Sequence, residues 1–371
     1  MNWPLELEVA HKLAQMRGWL EDQHAGAVRL RGVDWFAWAT AGASNSHCHA
    51  AESGCAEVLV TRDAAYVLTD EAEALRLREE EVRGPWTWQV TPWMQPQQYE
   101  LREHFVQHAA GGAPILSDRP GLLERSLPVA LREERLVLLE SEQQRYRQVG
   151  QLAASAAADA MRLARPDWSE LELAAACVRA LWLRGLQPVH VLVAGLDRQL
   201  RYRRAPPAQA VLGGQVVLAL CARRFGLCAS LSRQRCFSPA PRVGNRMGEA
   251  DAAMLALEAV ALDVCEAGHA LSMVYHALDS AYAYAGQPDT VRTCRQGGIH
   301  GYLAPEVTAG AHTEIILRRG MALAFHPSLP GSMVEDTFLL DGNQLHNLTH
   351  DPAWPSAVVQ GRRRPLTLAL D

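Results

Sequence analysis

The sequence has almost no lysine. Among its 371 residues Lys12 is the single lysine, and every other basic residue is an arginine. Lys12 falls on the first predicted helix, close to the amino terminus. Enzymes that form a Schiff base, bind pyridoxal phosphate or use a Walker-type phosphate loop need a lysine deep in the active site. The composition therefore excludes these three classes.

The chain also lacks long apolar runs and an excess of positive charge. No apolar run reaches the roughly 18 residues of a membrane-spanning helix. The formal net charge is −5, which argues against a nucleic-acid surface. The opening residues, MNWPLELEVAHK, show no basic segment followed by an apolar one, so we see no signal peptide. We expect a cytoplasmic protein with reduced, mainly buried cysteines.

Alternating helices and strands in the first third predict an α/β domain. The predicted helices cover residues 5–23 and 70–81, and the predicted strands cover 27–30, 57–60, 65–68, 86–90 and 114–117, with an aromatic turn at 35–40. A boundary near residues 136–140 suggests two domains, 1–137 and 138–371.

The second domain is predicted to repeat an order of two helices followed by strands. The helices cover 141–163, 170–183, 248–267 and 272–285, and the strands cover 190–194, 215–220, 225–237 and the chain from 313 onward. Ser169 and Glu172 form a capping box at the start of the second of these helices.

The segment 321–337, MALAFHPSLPGSMVEDT, carries the most informative pattern. An alternating apolar strand ends at His326, a turn rich in proline and glycine follows, and a second strand begins after Glu335. Because the two strands of a hairpin can point side chains into one pocket, His326 and Glu335 are candidate catalytic residues.

This segment resembles the closing signature of the creatinase, prolidase and aminopeptidase P superfamily, whose second domain has the pita-bread fold. The order of elements is similar over nearly the whole chain, so residues 1–137 resemble the superfamily's N-terminal domain and residues 138–371 its pita-bread domain. The resemblance implies a homodimer. In peptidase members, a glutamate at the position of His326 and the glutamate of Glu-Asp-Thr, here Glu335, bind a pair of metal ions.

The other ligand positions of the family also carry different residues here. By resemblance, Ala219 and Ser230 stand where the family has two aspartates, and Arg295 stands where it has a histidine. His300 is an alternative match for that histidine. Arg204 matches the substrate-side histidine, and Glu306 follows the histidine loop. Alanine offers no ligand atom, serine is a poor ligand and arginine is a fixed cation, so we expect no dinuclear metal and no cofactor.

These substitutions favour a protein that binds a small anionic or amino-acid-like ligand without peptidase activity. Its expected ligand-binding residues are Arg295, Arg204, Ser230 and Tyr302. We expect Glu335 to pair with Arg295 in the empty state. We also expect affinity to rise below about pH 6.5 as His326 gains a proton.

Four alternatives stay open. The first is a metal-independent hydrolase of a C–N bond, as creatinase is, with His326 or His300 as base and Glu335 or Glu306 as the carboxylate. The second is a divergent Xaa-Pro dipeptidase. The third is a single zinc or iron ion on His326, Glu335 and His300. The fourth is a purely structural or partner-binding dimer.

A second group with metal-binding chemistry lies in the first domain. His47, Cys48, His49 and Cys55 are residue types that bind zinc, but their spacing matches no common finger. We interpret this segment as a polar loop.

Overall fold

The computed structural model describes residues 5–48, 51–95, 97–237 and 249–369. The chain forms two compact units, Met1–Arg135 with Glu140–Glu142, and Leu136–Leu139 with Gln143–Asp371. In the described ranges no helix is both long and apolar enough to cross a membrane. The cysteines are free thiols.

The first unit contains a six-stranded sheet. Its helices are α1 (Leu5–Asp22), α2 (Val33–Ala39), α3 (Glu71–Arg76), α4 (Gln98–Ala109) and α5 (Val129–Arg135), and its strands are β1 (Ala27–Gly32), β2 (Ser53–Thr61), β3 (Ala65–Asp70), β4 (Thr87–Thr91), β5 (Ile115–Ser117) and β6 (Glu124–Ser126). The strand order is β4-β3-β2-β1-β5-β6. Pairs β1–β2 and β2–β3 are antiparallel and the other pairs are parallel.

Residues 33–39 form helix α2, so the predicted aromatic turn is wrong. Trp35 and Trp38 lie edge to face with ring centroids 5.4 Å apart, and both are buried. The guanidinium of Arg135 lies 3.9 Å from the Trp35 ring centroid and donates to Asp34. Because this helix buries residues on every side, its sequence lacks the apolar stripe that usually predicts a helix.

The single lysine has a structural position. Lys12 is fully buried, and its Nζ donates to Glu8 at 2.7 Å, to Glu142 at 2.8 Å and to the carbonyl oxygen of Trp38 at 2.8 Å. All three partners belong to the first unit. A buried ammonium held by two carboxylates stabilises the packing of α1 and is not free for covalent chemistry.

The second unit contains the remaining elements. The helices are α6 (Glu140–Leu163, beginning in the first unit), α7 (Glu170–Trp182), α8 (Leu196–Gln199), α9 (Glu249–Asp263), α10 (Leu271–Tyr284) and α11 (Thr290–Thr293). The strands are β7 (Gln187–Gly195), β8 (Gln215–Arg224), β9 (Leu227–Cys236), β10 (Gly297–His300), β11 (Val307–Thr308), β12 (Ala322–Phe325), β13 (Ser328–Leu329), β14 (Ser332–Met333), β15 (Asp336–Asp341), β16 (Gln344–Asn347), β17 (Ser356–Val359) and β18 (Arg362–Pro365). The predicted start of α9 at Gly248 lies outside the described residues.

Two sheets of this unit carry the candidate site. One is antiparallel, in the order β7-β8-β9, and the other runs β11-β10-β12-β15-β16. Contacts between β9 and β15 join them. The buried core lies between α9, α10 and the second sheet, and includes Leu255, Leu262, Leu278, Ile299, Phe325 and Phe338. This core fixes the strands that carry the candidate residues.

The turn between β8 and β9 differs from the predicted continuous strand 225–237. Arg224 pairs with Leu227, which leaves Phe225 and Gly226 as a two-residue turn. Both have positive φ, 55° and 76°. A tight hairpin with the twist of its strands needs positive φ at both central residues, so Phe225 belongs to the turn.

The predicted capping box is present. The Ser169 hydroxyl accepts a hydrogen bond from the Glu172 backbone N–H, and the Glu172 carboxylate accepts from the Ser169 backbone N–H at 2.6 Å. This reciprocal pair fixes the start of α7 at Glu170.

Candidate ligand-binding cavity

The segment around Glu335 forms the hairpin that its pattern predicts. Phe325, the last residue of β12, pairs with Asp336, the first residue of β15, so His326 directly follows one strand and Glu335 directly precedes the other. The intervening turn is longer than predicted, because β13 and β14 add a two-residue ladder between them. Side chains alternate between faces, so His326 and Glu335 point away from the face that Phe325 and Asp336 share.

Asp336 anchors this hairpin in the unit's interior. Its carboxylate accepts hydrogen bonds from Arg233 at 2.9 Å, Arg364 at 2.6 Å and Thr349 at 2.6 Å. Burial favours the protonated carboxyl, but Arg233 and Arg364 outweigh it and lower the pKa of Asp336. The carboxylate therefore stays ionised and holds the strand in register.

Thr337 ties the hairpin to the neighbouring sheet. Its hydroxyl accepts from the Ser230 backbone N–H at 2.9 Å and donates to the Ser230 carbonyl at 2.9 Å. The Ser232 backbone N–H donates to the Glu335 carbonyl. These bonds place Glu335 and Ser230 together, on adjacent strands of different sheets.

The two sheets and their loops surround a cavity of about 670 Å³. Its lining side chains include the predicted residues Arg204, Ser230, Arg295, His300, His326 and Glu335, together with His190, Arg201, Arg203, Cys294 and Thr308. The structure thus brings six of the eight predicted site residues to one cavity, although they are spread over more than a third of the sequence.

Tyr302 and Glu306 are the predicted site residues that do not line this cavity. Tyr302 is buried. The Glu306 carboxylate accepts from the backbone N–H of Tyr302 at 2.9 Å and of Leu303 at 3.2 Å. Glu306 therefore orders the loop after β10, which is a structural position that its sequence context did not reveal.

Three histidines of the cavity are neutral. Burial, with smaller contributions from neighbouring histidines and Arg204, lowers the pKa of His300 and of His326 to about 3 and that of His190 to about 4. The expectation that His326 titrates near pH 6.5 is therefore wrong, because its burial disfavours the charged imidazolium.

Arg204 assigns the tautomer of His326. Arg204 is an exposed residue, and its Nη1 lies 3.3 Å from the Nε2 of His326. A guanidinium only donates, so Nε2 accepts and the imidazole proton sits on Nδ1. That Nδ1 is buried and has no hydrogen-bond partner among the described residues.

His190 and His300 carry further unpaired ring nitrogens. The Nε2 of His190 and the Nδ1 of His300 are buried without a partner in the described part of the chain. His190 was not predicted, since it lies on a mainly apolar strand more than 100 residues before His300, His326 and Glu335. The one available signal was a polar side chain inside the apolar run 190–194.

Glu335 is a protonated acid at neutral pH. It is 2% exposed, and one carboxyl oxygen, Oε2, has no hydrogen-bond partner within the described ranges. Burial raises the pKa of Glu335 to about 8, although Arg204 lowers it in part. Among the described residues, Glu335 forms no ion pair with Arg295, contrary to expectation, and Arg295 is exposed. The cation that lowers the pKa of Glu335 is Arg204 instead.

The fold is shared with solved structures at low sequence identity. An Xaa-Pro dipeptidase from Bacillus anthracis matches with a TM-score of 0.73 and 14% identity, covering 98% of this chain and 100% of the other. An X-Pro aminopeptidase from Thermotoga maritima matches at 0.72 and 15%, covering 96% and 99%. The N-terminal domain of the FACT complex subunit SPT16 from chickpea (Cicer arietinum) matches at 0.69 and 13%, covering 94% and 97%.

No family model and no curated protein matches the sequence. The structural matches extend over nearly the whole chain, with structures of prolidases and Xaa-Pro peptidases prominent among them. The chain therefore has the two-domain pita-bread fold of these proteins, as its closing motif predicts.

The donor set of the cavity does not fit the pair of metal ions that this resemblance implies. Ala219 lies on β8 and lines a separate small cavity of about 140 Å³, where it offers no ligand atom. Glu335 is the single carboxylate among the lining residues. In the part of the chain that the structure describes, the cavity's histidines and Glu335 also do not place three ligand atoms within 4.8 Å of one another. Two hard cations need several anionic oxygens each.

Proposed function

We propose that this cavity binds a small anionic ligand without a dinuclear metal centre and without peptidase chemistry. The observation that carries the proposal is the contact of Arg204 with His326: a guanidinium reaches the residue that takes the place of a metal-binding glutamate. A fixed cation there repels a divalent ion and attracts an anion.

The charges around the cavity support an anionic ligand. Four arginines line it, namely Arg201, Arg203, Arg204 and Arg295, against one carboxyl group. That carboxyl, Glu335, is protonated at neutral pH because burial raises its pKa to about 8. The cavity is therefore positive when empty, and an anion supplies the missing countercharge.

The polar groups of the wall offer directed contacts as well as charge. Arg203 donates to the Ser328 carbonyl at 2.8 Å and to the Ser328 hydroxyl at 3.0 Å, which holds its guanidinium in place without a carboxylate partner. Arg204 can hold a carboxylate or phosphate through two parallel N–H donors. This arrangement favours a small carboxylate or phosphate, such as an amino-acid-like ligand.

A calorimetric titration with sulfate, in protein treated with a chelator, tests the proposal. We expect wild type to bind, and Arg204→Ala to weaken affinity by about 10- to 100-fold, because a hydrogen bond to a charged group contributes about 1.5–3 kcal/mol. Arg292→Ala is the matched control, since Arg292 is exposed and pairs with Asp289 at 2.9 Å. Equal affinity in Arg204→Ala and wild type would contradict the proposal.

A second candidate function is metal-independent hydrolysis of a C–N bond. The observation that favours it is the pairing of a neutral imidazole with a protonated carboxyl in one cavity, as the pKa values of His300 (about 3) and Glu335 (about 8) indicate. Because the Nε2 of His326 already accepts from Arg204, the imidazole that can accept a proton from an attacking water is that of His300, while the Glu335 carboxyl can donate one to the leaving nitrogen. Urea release from creatine by wild type but not by Glu335→Gln would support this candidate. If neither wild type nor Glu335→Gln releases urea, this candidate function is excluded.

A further inference from the structure

A second cluster of metal-binding side chains lies in the first unit. His47 follows α2, Cys55 lies in β2 and Glu73 lies in α3. Their ligand atoms all lie within 4.8 Å of one another. The Nε2 of His47 is 3.0 Å from the Oε1 of Glu73, and the Sγ of Cys55 is 3.8 Å from its Oε2.

The surrounding chain holds the backbone of these residues in place. The Cys55 backbone N–H donates to the Asn45 carbonyl at 2.7 Å, and the buried Asn45 amide donates to the Ala56 carbonyl at 2.6 Å. These bonds fasten the loop that carries His47 to β2. The Asp70 carboxylate caps α3 by accepting from the Glu73 backbone N–H. The three side chains are therefore presented by fixed backbone, as a pre-organised site requires.

The distances between these side chains are close to those around a tetrahedral zinc ion. Zinc bonds of about 2.0–2.3 Å place neighbouring ligand atoms roughly 3.3–3.7 Å apart. The observed separations, 3.0 Å to one oxygen of Glu73 and 3.8 Å to the other, lie just below and just above this range, so the side chains need to move by only a few tenths of an ångström to hold an ion. One imidazole, one thiolate and one carboxylate form a donor set typical of zinc, with the fourth position left to water.

The cation nearest the cluster, Arg76, is paired with the carboxylates of both Glu73 and Glu81. In the described part of the chain its charge is therefore compensated, unlike that of Arg204 in the cavity. Arg76 donates to the Oε2 of Glu73 at 3.1 Å and lies 3.8 Å from the Cys55 Sγ. It therefore orients one carboxylate oxygen while the other faces His47. Such an outer partner fixes a ligating carboxylate. Burial and the Glu73 carboxylate raise the pKa of Cys55 to about 11 although Arg76 lowers it in part, so the thiol is protonated when no ion is bound. Binding would replace the thiol proton of Cys55, which passes to solvent.

We propose that His47, Cys55 and Glu73 form a mononuclear zinc site in the first unit. The sequence pointed to His47 and Cys55 together with Cys48 and His49. His49 lies outside the described residues, and Cys48 is exposed and is not part of the cluster. The third ligand comes instead from Glu73, 18 residues beyond Cys55.

Cobalt titration of the full-length protein tests this site, because Co²⁺ replaces zinc and a cobalt–thiolate bond gives a near-ultraviolet charge-transfer band. We expect one thiolate-bound cobalt per chain, displaced by zinc. Cys55→Ser should abolish the band, and Glu73→Gln should weaken cobalt affinity by about tenfold or more. Circular dichroism of each variant confirms that it is folded.

Two cysteine variants serve as matched controls. Cys48→Ser tests the exposed neighbour, and Cys294→Ser tests the cysteine that lines the cavity of the second unit. We expect both to keep the full band. A band that survives Cys55→Ser, disappears in either control, or never forms at micromolar cobalt would overturn the proposal.

Discussion

Replacing Glu335 by glutamine should stabilise the protein at alkaline pH. In the folded chain burial raises the pKa of Glu335 from its ordinary value of 4.5 to about 8. Between these values the folded protein keeps a proton that the unfolded chain releases. The folded state therefore binds more protons, and the free energy of unfolding falls as pH rises through this window. Glutamine has nearly the same shape as the protonated acid and never ionises.

The size of the effect follows from the two pKa values. Each unit of pKa difference corresponds to about 1.4 kcal/mol. The whole pKa difference corresponds to about 5 kcal/mol in the free energy of unfolding. Wild type loses about 3 kcal/mol of this stability between about pH 5 and about pH 8. Glu335→Gln should therefore exceed wild type by about 3 kcal/mol at the upper pH and nearly equal it at the lower pH.

Urea unfolding at the two pH values measures this difference. The m values should agree between the variants, so that the midpoints can be compared as stabilities. Glu314→Gln is the matched control, because Glu314 is an exposed glutamate of the same unit, and it should leave the pH dependence unchanged. If Glu335→Gln shows the same pH dependence as wild type, Glu335 is not a buried protonated acid.

Three further predictions concern binding, stability and assembly. Sulfate affinity should not rise as pH falls through about 6.5, since His326 stays neutral. It should fall about tenfold above about pH 8, because the ionised Glu335 carboxylate repels the anion. Calorimetric titrations across this pH range would show both effects. Asp336→Asn should cost about 3–5 kcal/mol in urea unfolding, because Arg233 and Arg364 lose a buried partner; a loss below about 1 kcal/mol would contradict this. We propose that the chain forms a homodimer, and sedimentation that shows only monomer at micromolar concentration would count against it.

Local patterns predicted the elements that hold the site. The alternation before His326 and after Glu335 predicted the hairpin, and the Ser169 capping box predicted the start of α7. Both depend on contacts between residues close in sequence, where propensity and hydrogen bonding act together. The Glu-Asp-Thr motif was recognisable for the same reason, although it did not reveal that Asp336 and Thr337 are structural.

The remaining features of the site depend on contacts between distant residues. His190 reaches the cavity through the pairing of β7 with β8, and Arg204 reaches His326 from a loop 122 residues away in sequence. The Glu306 side chain accepts a hydrogen bond within its own loop and does not line the cavity. In the first unit, Glu73 of a neighbouring helix contacts Cys55. Sequence spacing does not fix the direction of a side chain, so these outcomes required the three-dimensional arrangement of the strands.

The protonation states were also beyond the sequence. The ordinary pKa of histidine places the titration of His326 near neutrality, but the structure buries it beside Arg204 and lowers its pKa to about 3. Burial acts on Glu335 in the opposite direction, because its charged form is the deprotonated one. The extent of desolvation depends on the folded cavity and cannot be predicted from the amino-acid composition.

A sulfate titration of chelator-treated protein, repeated after equilibration with an excess of Mn²⁺, tests most directly whether the cavity holds an anion in place of a metal pair. We predict the same sulfate affinity in both, with fewer than two manganese ions per chain and no cleavage of an Xaa-Pro dipeptide. Sulfate binding that requires manganese, or two bound manganese ions per chain with dipeptide cleavage, would show that the cavity is a metallopeptidase centre.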